Sequence, residues 1–162
     1  MSNIHLICGK ICSGKSYYAK TLAAERNAVI LSVDEITYAF FNNDLGDKHE
    51  EMTAKIREYL SNKAVEIAKC GLDVILDWGF WSRETRAAAT EYFSLRGVSV
   101  IWHYIDISDE DWMKNIEKRN DLVTKGLSHD YYLDEGLYDK LMSRFEVPER
   151  SEIDVWYENI VK

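Results

Sequence analysis

Short apolar runs alternate with longer segments of helical periodicity along the whole chain. Five apolar or β-branched runs predict buried strands at residues 4–8, 29–33, 74–76, 98–107 and 153–157. Between them, apolar positions recur near a 3.6-residue period and predict helices at 16–25, 35–41, 48–69, 83–95, 109–123 and 133–145. This alternation favours an α/β protein whose parallel sheet is covered by helices on both faces.

Turn and capping residues set the predicted boundaries. Ser82 and Ser108 each precede a helical segment and are expected to be N-caps, and Gly97 is expected to end a helix. Turn-rich sequence at 42–47, polar sequence at 124–130 and the single proline, Pro148, break the periodicity. In the short helix at 35–41, Ile36, Phe40 and Phe41 are expected to face inward.

Candidate functional residues follow the predicted strands directly. Residues 9–16 follow the first strand, Asp34 the second, residues 77–81 the third and residues 106–108 the fourth. Because ligands of parallel α/β sheets bind at the carboxyl ends of the strands, these positions predict one binding edge.

The segment after the first strand fits the pattern G-x-x-x-x-G-K-[ST] of a phosphate-binding loop. Its glycines let successive backbone N–H groups point at one anion, and the following helix start adds further donors. Lys15 is expected to contact the β- and γ-phosphates, and the Ser16 hydroxyl to hold Mg²⁺. The alternative is a glycine-rich turn that matches by accident. The predicted nucleotide-binding residues are Gly9, Lys10, Ile11, Cys12, Ser13, Gly14, Lys15, Ser16 and Tyr17.

Two aspartates on the predicted edge are candidates for chemistry. Phosphoryl transfer to an alcohol needs a group that orients the hydroxyl and accepts its proton, and Asp34 is the candidate. Its structural alternative is a helix N-cap. Asp77 is a candidate Mg²⁺ ligand, and its alternative is a turn aspartate at the end of a strand.

Aromatic and basic side chains complete the candidate site. Trp78, Phe80 and Trp81 follow Asp77 and either form the wall of an acceptor pocket or pack under the next helix. Arg86 either meets an anionic substrate or pairs with a nearby glutamate. Among the basic residues Lys114, Lys118, Arg119 and Lys125, Arg119 is the candidate for closing over the transferring phosphate.

Composition narrows the range of partners. The chain has 162 residues, which suits one domain, and a net charge of −8, which disfavours nucleic acid as a partner. Its three cysteines form no disulfide framework, so a reducing cytoplasm is expected. No signal peptide and no membrane-spanning apolar stretch is evident. No feature of the sequence specifies an oligomeric state.

With these residues in place, the chain resembles a group of small P-loop kinases that includes chloramphenicol phosphotransferase-like enzymes, zeta-toxin-like enzymes and the kinase domain of polynucleotide kinase. The residues that carry the resemblance are 9–16, 32–34, Asp77 with Arg86, and 119–120. The resemblance implies a three-layer P-loop kinase fold with a five-stranded parallel sheet in the order 2-3-1-4-5. It also implies a single kinase domain over 1–162, with a helical lid at about 112–135 and adenine near 148–150.

For the site, the resemblance implies Asp34 as the general base, Arg86 as a substrate or structural arginine and Arg119 as the lid arginine. Two departures weaken a polynucleotide substrate in particular. Val123 stands where a second lid arginine is usual, and the apolar run 36–41 replaces an arginine usual soon after the base.

Three functions remain open from the sequence. The leading hypothesis is an ATP- and Mg²⁺-dependent kinase that phosphorylates a hydroxyl of a small molecule. The second is a 5′-hydroxyl polynucleotide kinase. The third is a nucleotide-binding regulatory module that hydrolyses ATP slowly and has no acceptor.

Overall fold

Five parallel strands form one sheet in the order β2-β3-β1-β4-β5 in the computed structural model, which describes residues 2–161. The strands are β1 Asn3–Cys8, β2 Val29–Ile30, β3 Val74–Gly79, β4 Ser99–Ile107 and β5 Val155–Asn159. The helices are α1 Lys15–Arg26, α2 Val33–Phe41, α3 His49–Lys69, α4 Arg83–Ser94, α5 Asp109–Thr124 and α6 Glu135–Met142. The predicted parallel α/β class and strand order are confirmed.

Alternating side chains of the strands fill two cores, one on each face of the sheet. On one face, Ile7, Ile75 and Ile105 pack against Ala19 and Leu22 of α1. The opposite face carries a larger core, to which α3 and α4 contribute. Its fully or nearly fully buried members are Ile4, Leu6, Cys8, Ala64, Val74, Leu76 and Phe93. Because successive strand residues point to opposite faces, both faces need a helical cover, and the result is three layers.

The second strand is shorter than predicted. It ends at Ile30, and the Ser32 side chain accepts a hydrogen bond from the Glu35 N–H at 3.3 Å, so Ser32 is the N-cap of α2. Asp34 therefore lies in the first turn of a helix and does not directly follow a strand. The inward orientation predicted for Phe40 is also wrong, since this side chain is 78 % exposed.

The third strand is longer than predicted and is irregular. Leu76 pairs with Leu6, but Gly79 pairs with Cys8, so β3 contains one extra residue between these pairs. A bulge of this kind changes the direction in which nearby side chains point. Asp77 belongs to the strand at this bulge and is not a turn residue after it.

The remaining boundaries follow local capping. Ser82 and Ser108 cap α4 and α5 as predicted, accepting from the backbone N–H groups of Thr85 and Asp111. The last helix is shorter than predicted, because the Asp134 side chain accepts from the Leu137 N–H at 2.7 Å and starts α6 at Glu135. Within residues 2–161, none of the helices is both long and apolar enough to span a bilayer.

Candidate functional site

The phosphate-loop motif forms a tight turn between β1 and α1. Cys12 and Gly14 adopt positive φ angles of 59° and 98°, and the Ser13 N–H donates to the Lys10 carbonyl at 3.2 Å. A Cβ at Gly14 would lie 2.5 Å from Nδ2 of Asn159, which itself donates to the Ser13 carbonyl at 2.9 Å. The positive φ favours glycine here, and the contacts of Asn159 show that the carboxyl end of β5 supports the loop.

One face of α5 holds the loop from the other side. Trp112 Nε1 donates to the Ile11 carbonyl at 2.7 Å, and Asn115 Nδ2 donates to the Cys12 carbonyl at 2.9 Å. Arg119 Nη1 donates to Cys12 Sγ at 3.7 Å. These positions are three and four residues apart, which places them on one side of the helix. The sequence analysis identified Arg119 but missed Trp112 and Asn115. Their spacing, which places them on the same side of a helix as Arg119, could have indicated them.

Lys15 is held inside the loop. Its Nζ donates to the Lys10 carbonyl at 2.7 Å. Burial lowers the pKa of the Lys15 ammonium, while the carboxylates of Asp77 and Asp34 act in the opposite direction. An anion bound in the loop would therefore favour the charged form of this lysine.

Ser16 and Asp77 meet beside the loop. Ser16 Oγ donates to Asp77 Oδ2 at 3.3 Å. Burial and the nearby Asp34 carboxylate raise the pKa of Asp77, and Lys15 and Ser16 partly offset this. No cluster of three or more His, Cys, Asp or Glu side chains within residues 2–161 could hold a metal by itself. One hydroxyl and one carboxylate nevertheless fit Mg²⁺ that keeps waters and takes its other ligands from phosphates.

Asp34 is an exposed carboxylate at the same edge. It lies close enough to Lys15 and Asp77 for its charge to influence the pKa of both. Its side chain makes no hydrogen bond or ion pair with the rest of the chain described here. Because Ser32 is the cap of α2, the N-cap alternative for Asp34 is wrong.

Four side chains connect the end of α2 to the segment after α5, and we call Tyr38, Asn43, His129 and Tyr131 the bridging cluster. The Tyr38 hydroxyl and His129 Nε2 lie 2.9 Å apart, and Asn43 Nδ2 donates to the His129 carbonyl at 3.1 Å. The Tyr131 hydroxyl donates to the Asn43 carbonyl at 2.6 Å, and Arg119 Nε donates to the Tyr131 carbonyl at 3.1 Å. The cluster thus connects α2, which carries Asp34, to the arginine at the phosphate loop. The sequence analysis missed the bridging cluster, because a polar segment after α5 does not reveal which distant residues it contacts.

The three aromatic residues after Asp77 differ in their contacts and in how deeply they are buried. Trp78 Nε1 donates to the Leu31 carbonyl at 2.8 Å, and its ring packs against the core. Phe80 is only 9 % exposed and belongs to the core, so packing is what the structure shows for both residues. The half-buried Trp81 lies across Gly79, where a Cβ would be 2.5 Å from Trp81 Nε1. Trp78 and Trp81 are both half-buried, and their part in an acceptor pocket stays a prediction.

Arg86 is a structural arginine in this fold. It is 3 % exposed, and its Nε lies 3.0 Å from Oε1 of Glu152. Its Nη1 donates to the carbonyls of Phe80 and Glu146, each at 3.1 Å. The structure thus pairs Arg86 with a glutamate distant along the chain and not with one near it in sequence, and these contacts leave no exposed guanidinium for a substrate.

The segment 148–150, expected near adenine, lies before β5, and its place beside a nucleotide stays a prediction. It precedes β5, whose opposite end contacts the loop through Asn159. Glu149 pairs with Arg83 at 3.1 Å, and the Arg150 guanidinium lies 3.8 Å from the Trp156 ring centroid.

Comparison with known proteins gives the family and the fold. No curated protein matches the chain. Among solved structures, the APS kinase CysC of Mycobacterium tuberculosis in complex with AMPPNP and APS has a TM-score of 0.68 at 20 % identity, covering 99 % of this chain and 90 % of its own. An unliganded sugar kinase from Janibacter sp. HTCC2649 has a TM-score of 0.65 at 17 % identity, covering 98 % and 86 %. The Pnkp1/Rnl/Hen1 RNA repair complex has a TM-score of 0.71 at 17 % identity, covering 88 % and 43 %.

A family model described as an AAA domain matches residues 4–148, which include the phosphate loop, Asp34, Asp77 and Arg119. The solved structures share the three-layer architecture of P-loop kinases. The chain therefore belongs to this AAA-domain family and has the fold of the small P-loop kinases.

Proposed function

We propose that this protein is an ATP-dependent kinase that transfers the γ-phosphoryl group to a hydroxyl of a small molecule. The observation that supports this most is the unpaired carboxylate of Asp34, close to Lys15 at the edge that carries the phosphate loop. A carboxylate in that place does not serve nucleotide binding, because it repels phosphates. It suits the deprotonation of an acceptor hydroxyl.

In the proposed reaction the loop N–H groups and Lys15 hold the nucleotide phosphates. Asp34 accepts the proton of the acceptor hydroxyl as the acceptor oxygen bonds to the γ-phosphorus. The bond from that phosphorus to the β–γ bridging oxygen breaks, and ADP leaves with the bond's electron pair. Lys15 and Arg119 stabilise the charge that spreads over the transferring group. When bound, Mg²⁺ would be held by Ser16 and Asp77 and would neutralise charge on the phosphates.

A small acceptor is favoured over a polynucleotide by the surroundings of Asp34. The bridging cluster connects α2 to the segment after α5 on the side where Asp34 lies. The net charge of −8 adds repulsion of a phosphate backbone. A salt-sensitive affinity for oligonucleotides would favour the polynucleotide kinase alternative.

The test is transfer from γ-labelled ATP to a panel of alcohols, sugars, nucleosides, antibiotics and oligonucleotides. Wild-type protein should label a small acceptor, and Lys15→Ala should lose this by orders of magnitude while keeping its circular dichroism spectrum. Lys20→Ala, at an exposed position of α1, is the matched control and should keep full activity. Nucleotide binding with no labelled acceptor would favour the regulatory module, and labelling of oligonucleotides alone would favour the polynucleotide kinase.

A further inference from the structure

Trp81 carries the one indole N–H group within residues 2–161 that has no hydrogen-bond acceptor in the chain. The other four tryptophans donate at 2.7–3.1 Å to acceptors in the protein: the Leu31 carbonyl, Thr90 Oγ1, the Ile11 carbonyl and Asp106 Oδ2. The buried side-chain oxygens and nitrogens without a partner in this range are Ser13 Oγ and Thr53 Oγ1, so solvent reaches Trp81 Nε1. Because an indole N–H can only donate, this accessible group is free to bond to an oxygen of a ligand.

Backbone and side-chain contacts hold Trp81 in a defined position. Its carbonyl accepts from the Glu146 N–H at 2.7 Å and from Arg86 Nη1 at 3.4 Å. Its indole lies against Gly79, where a Cβ would be 2.5 Å from Trp81 Nε1, so a larger residue at this position would displace the indole. The half-buried ring is therefore fixed on the backbone of β3 while its N–H group remains accessible.

The turn that leads to Trp81 is strained. Phe80 has a φ of 42°, a left-handed conformation that is rare for a bulky residue. Its carbonyl accepts from Arg86 Nη1 at 3.1 Å and its ring belongs to the core, so the surroundings maintain this conformation. With Gly79 at a φ of 84°, two consecutive residues of positive φ turn the chain sharply, and the Trp81 indole lies back over Gly79. Strained backbone of this kind is concentrated at ligand-binding sites.

Contacts on both sides place this turn between the phosphate loop and the start of α2. The Gly79 carbonyl accepts from the N–H of Gly9, the first residue of the loop, at 3.2 Å. On the other side, the Trp78 ring packs against the buried cluster of Val33, the residue before Asp34. In the sheet, β3 lies between β2, which leads to α2, and β1, which leads to the loop. An acceptor hydroxyl between Asp34 and the γ-phosphoryl group would therefore lie over the end of β3, beside the free indole N–H.

The charges at this edge favour a neutral acceptor. The carboxylates of Asp34 and Asp77 and the nucleotide phosphates are negative and would repel an anion. Lys15 and Arg119 both contact the phosphate loop, at 2.7 Å and 3.7 Å, and serve the nucleotide phosphates in the proposed reaction. An indole N–H is a neutral donor, so it satisfies a hydroxyl oxygen but does not offset the charge of an anion.

We propose that the Trp81 indole N–H donates a hydrogen bond to a second oxygen of the acceptor and so directs the acceptor's reacting hydroxyl toward Asp34. The assignment rests on the proposed kinase function and specifies its substrate class as a neutral polyhydroxylated molecule, that is, a sugar or a polyol. Such a molecule carries further hydroxyl oxygens near the one that is phosphorylated. It also has apolar C–H groups that can lie against the indole ring, whose body is apolar and whose N–H is polar.

The binding test follows the five indole N–H resonances of isotope-labelled protein by NMR spectroscopy, with Trp81→Phe assigning the resonance of interest. The protein is saturated with AMPPNP and Mg²⁺, and glucose, galactose, mannose, ribose, mannitol and glycerol are then titrated. Gluconate, glucose 6-phosphate and glycerol 3-phosphate serve as anionic relatives. At least one neutral probe should shift the Trp81 resonance saturably, and the anionic relatives should bind more weakly. The unpaired Trp81 N–H should also exchange with water faster than the four paired ones.

Variants and deoxy analogues identify the hydrogen bond itself. Trp81→Phe keeps an aromatic ring and removes the donor, so the neutral probe should bind about 3- to 10-fold more weakly, the usual effect of one neutral hydrogen bond. In the wild-type protein, one deoxy analogue of that probe should show the same loss, and Trp81→Phe should bind this analogue and its parent equally. The control Trp102→Phe removes an indole N–H that donates to Thr90 inside the protein, so it should lower stability and leave probe affinity unchanged.

Two results would overturn the assignment. One is that AMPPNP binds while no neutral probe shifts the Trp81 resonance, or while only an anionic relative does. The other is a folded Trp81→Phe protein that binds the neutral probe as tightly as the wild type. Both leave the kinase proposal standing, because AMPPNP binding is measured in the same experiment. Failure to bind AMPPNP would refute the kinase proposal itself, and the assignment with it.

Discussion

Arg86 and Asp34 show two opposite environments for a charged side chain. The Arg86 guanidinium is buried, faces Glu152 and donates to backbone carbonyls on two segments. Asp34 is exposed and unpaired within the described chain. A buried charge that is fully paired is part of the structure, whereas an unpaired charge at a binding edge is available to a ligand.

Removing Arg86 should therefore cost stability. Arg86→Ala would leave the Glu152 carboxylate and the carbonyls of Phe80 and Glu146 without their donor, so the free energy of unfolding should fall by about 3–5 kcal/mol. Urea denaturation followed by circular dichroism measures this.

The control is Arg83→Ala, which removes an exposed pair with Glu149 and should cost less than about 1 kcal/mol. Equal and small losses in both variants would show that the Arg86 network does not stabilise the fold.

For a single residue, the sequence predicts a role only when the residue belongs to a motif that determines its surroundings. The spacing of Gly9, Gly14, Lys15 and Ser16 defines a loop whose local geometry is encoded within eight residues. Arg86 had two possible partners in the sequence, and only the fold shows that Glu152, sixty-six residues away, lies beside it.

At the scale of elements, a chain of polar groups with two buried histidines at its centre crosses the sheet. Asp73 before β3 contacts His5 of β1 at 3.3 Å, and His5 contacts His103 of β4 at 2.9 Å. His103 in turn contacts the Tyr18 hydroxyl of α1 at 2.9 Å. One set of neutral tautomers satisfies every ring nitrogen, with His5 donating to Asp73, His103 to His5 and Tyr18 to His103.

These four linked side chains should make the free energy of unfolding decrease in mild acid. Burial lowers the pKa of His103 to about 4 and also lowers that of His5, so the folded protein takes up these protons less readily than the unfolded chain. Above pH ~6.5 the two histidines are neutral in both the folded and the unfolded protein, so they do not reduce the free energy of unfolding. Between pH ~6.5 and about 4 the unfolded state gains protons, and His103 alone should cost about 3 kcal/mol over this range.

Urea denaturation at several pH values across this range measures the effect. His103→Gln should be less stable at pH 7, because His5 and Tyr18 lose a ring partner, but its stability should fall less steeply with acid. The same change at exposed His49 should keep the wild-type dependence. An unchanged pH dependence in His103→Gln would contradict this account.

Element boundaries were predictable where local contacts set them. Ser82 and Ser108 cap helices through bonds to residues three positions away, which the sequence displays. The early end of β2 was missed, although Ser32 carries the same capping signal, because Leu31 and Val33 continue the apolar pattern. The bulge in β3 depends on its pairing with β1, which a single strand does not reveal.

At the scale of the whole molecule, the sheet brings distant segments to one edge. The phosphate loop contacts β5 through Asn159 and α5 through Asn115, and Arg119 connects it to the bridging cluster. The alternation of strands and helices was sufficient to predict this edge, because parallel topology forces the carboxyl ends together. The position of Asp34 on a helix beside that edge required the three-dimensional structure.

The central claim is that Asp34 activates the acceptor and does not bind the nucleotide. Asp34→Asn keeps the shape of the side chain and removes the base. The direct measurement pairs nucleotide affinity by calorimetry with acceptor phosphorylation at saturating ATP, using Asp44→Asn as an exposed control. The account predicts near wild-type ATP affinity and a transfer rate lower by about 10²–10⁴, the usual contribution of general base catalysis. Retained phosphorylation in Asp34→Asn, or loss of nucleotide affinity in a folded protein, would contradict it.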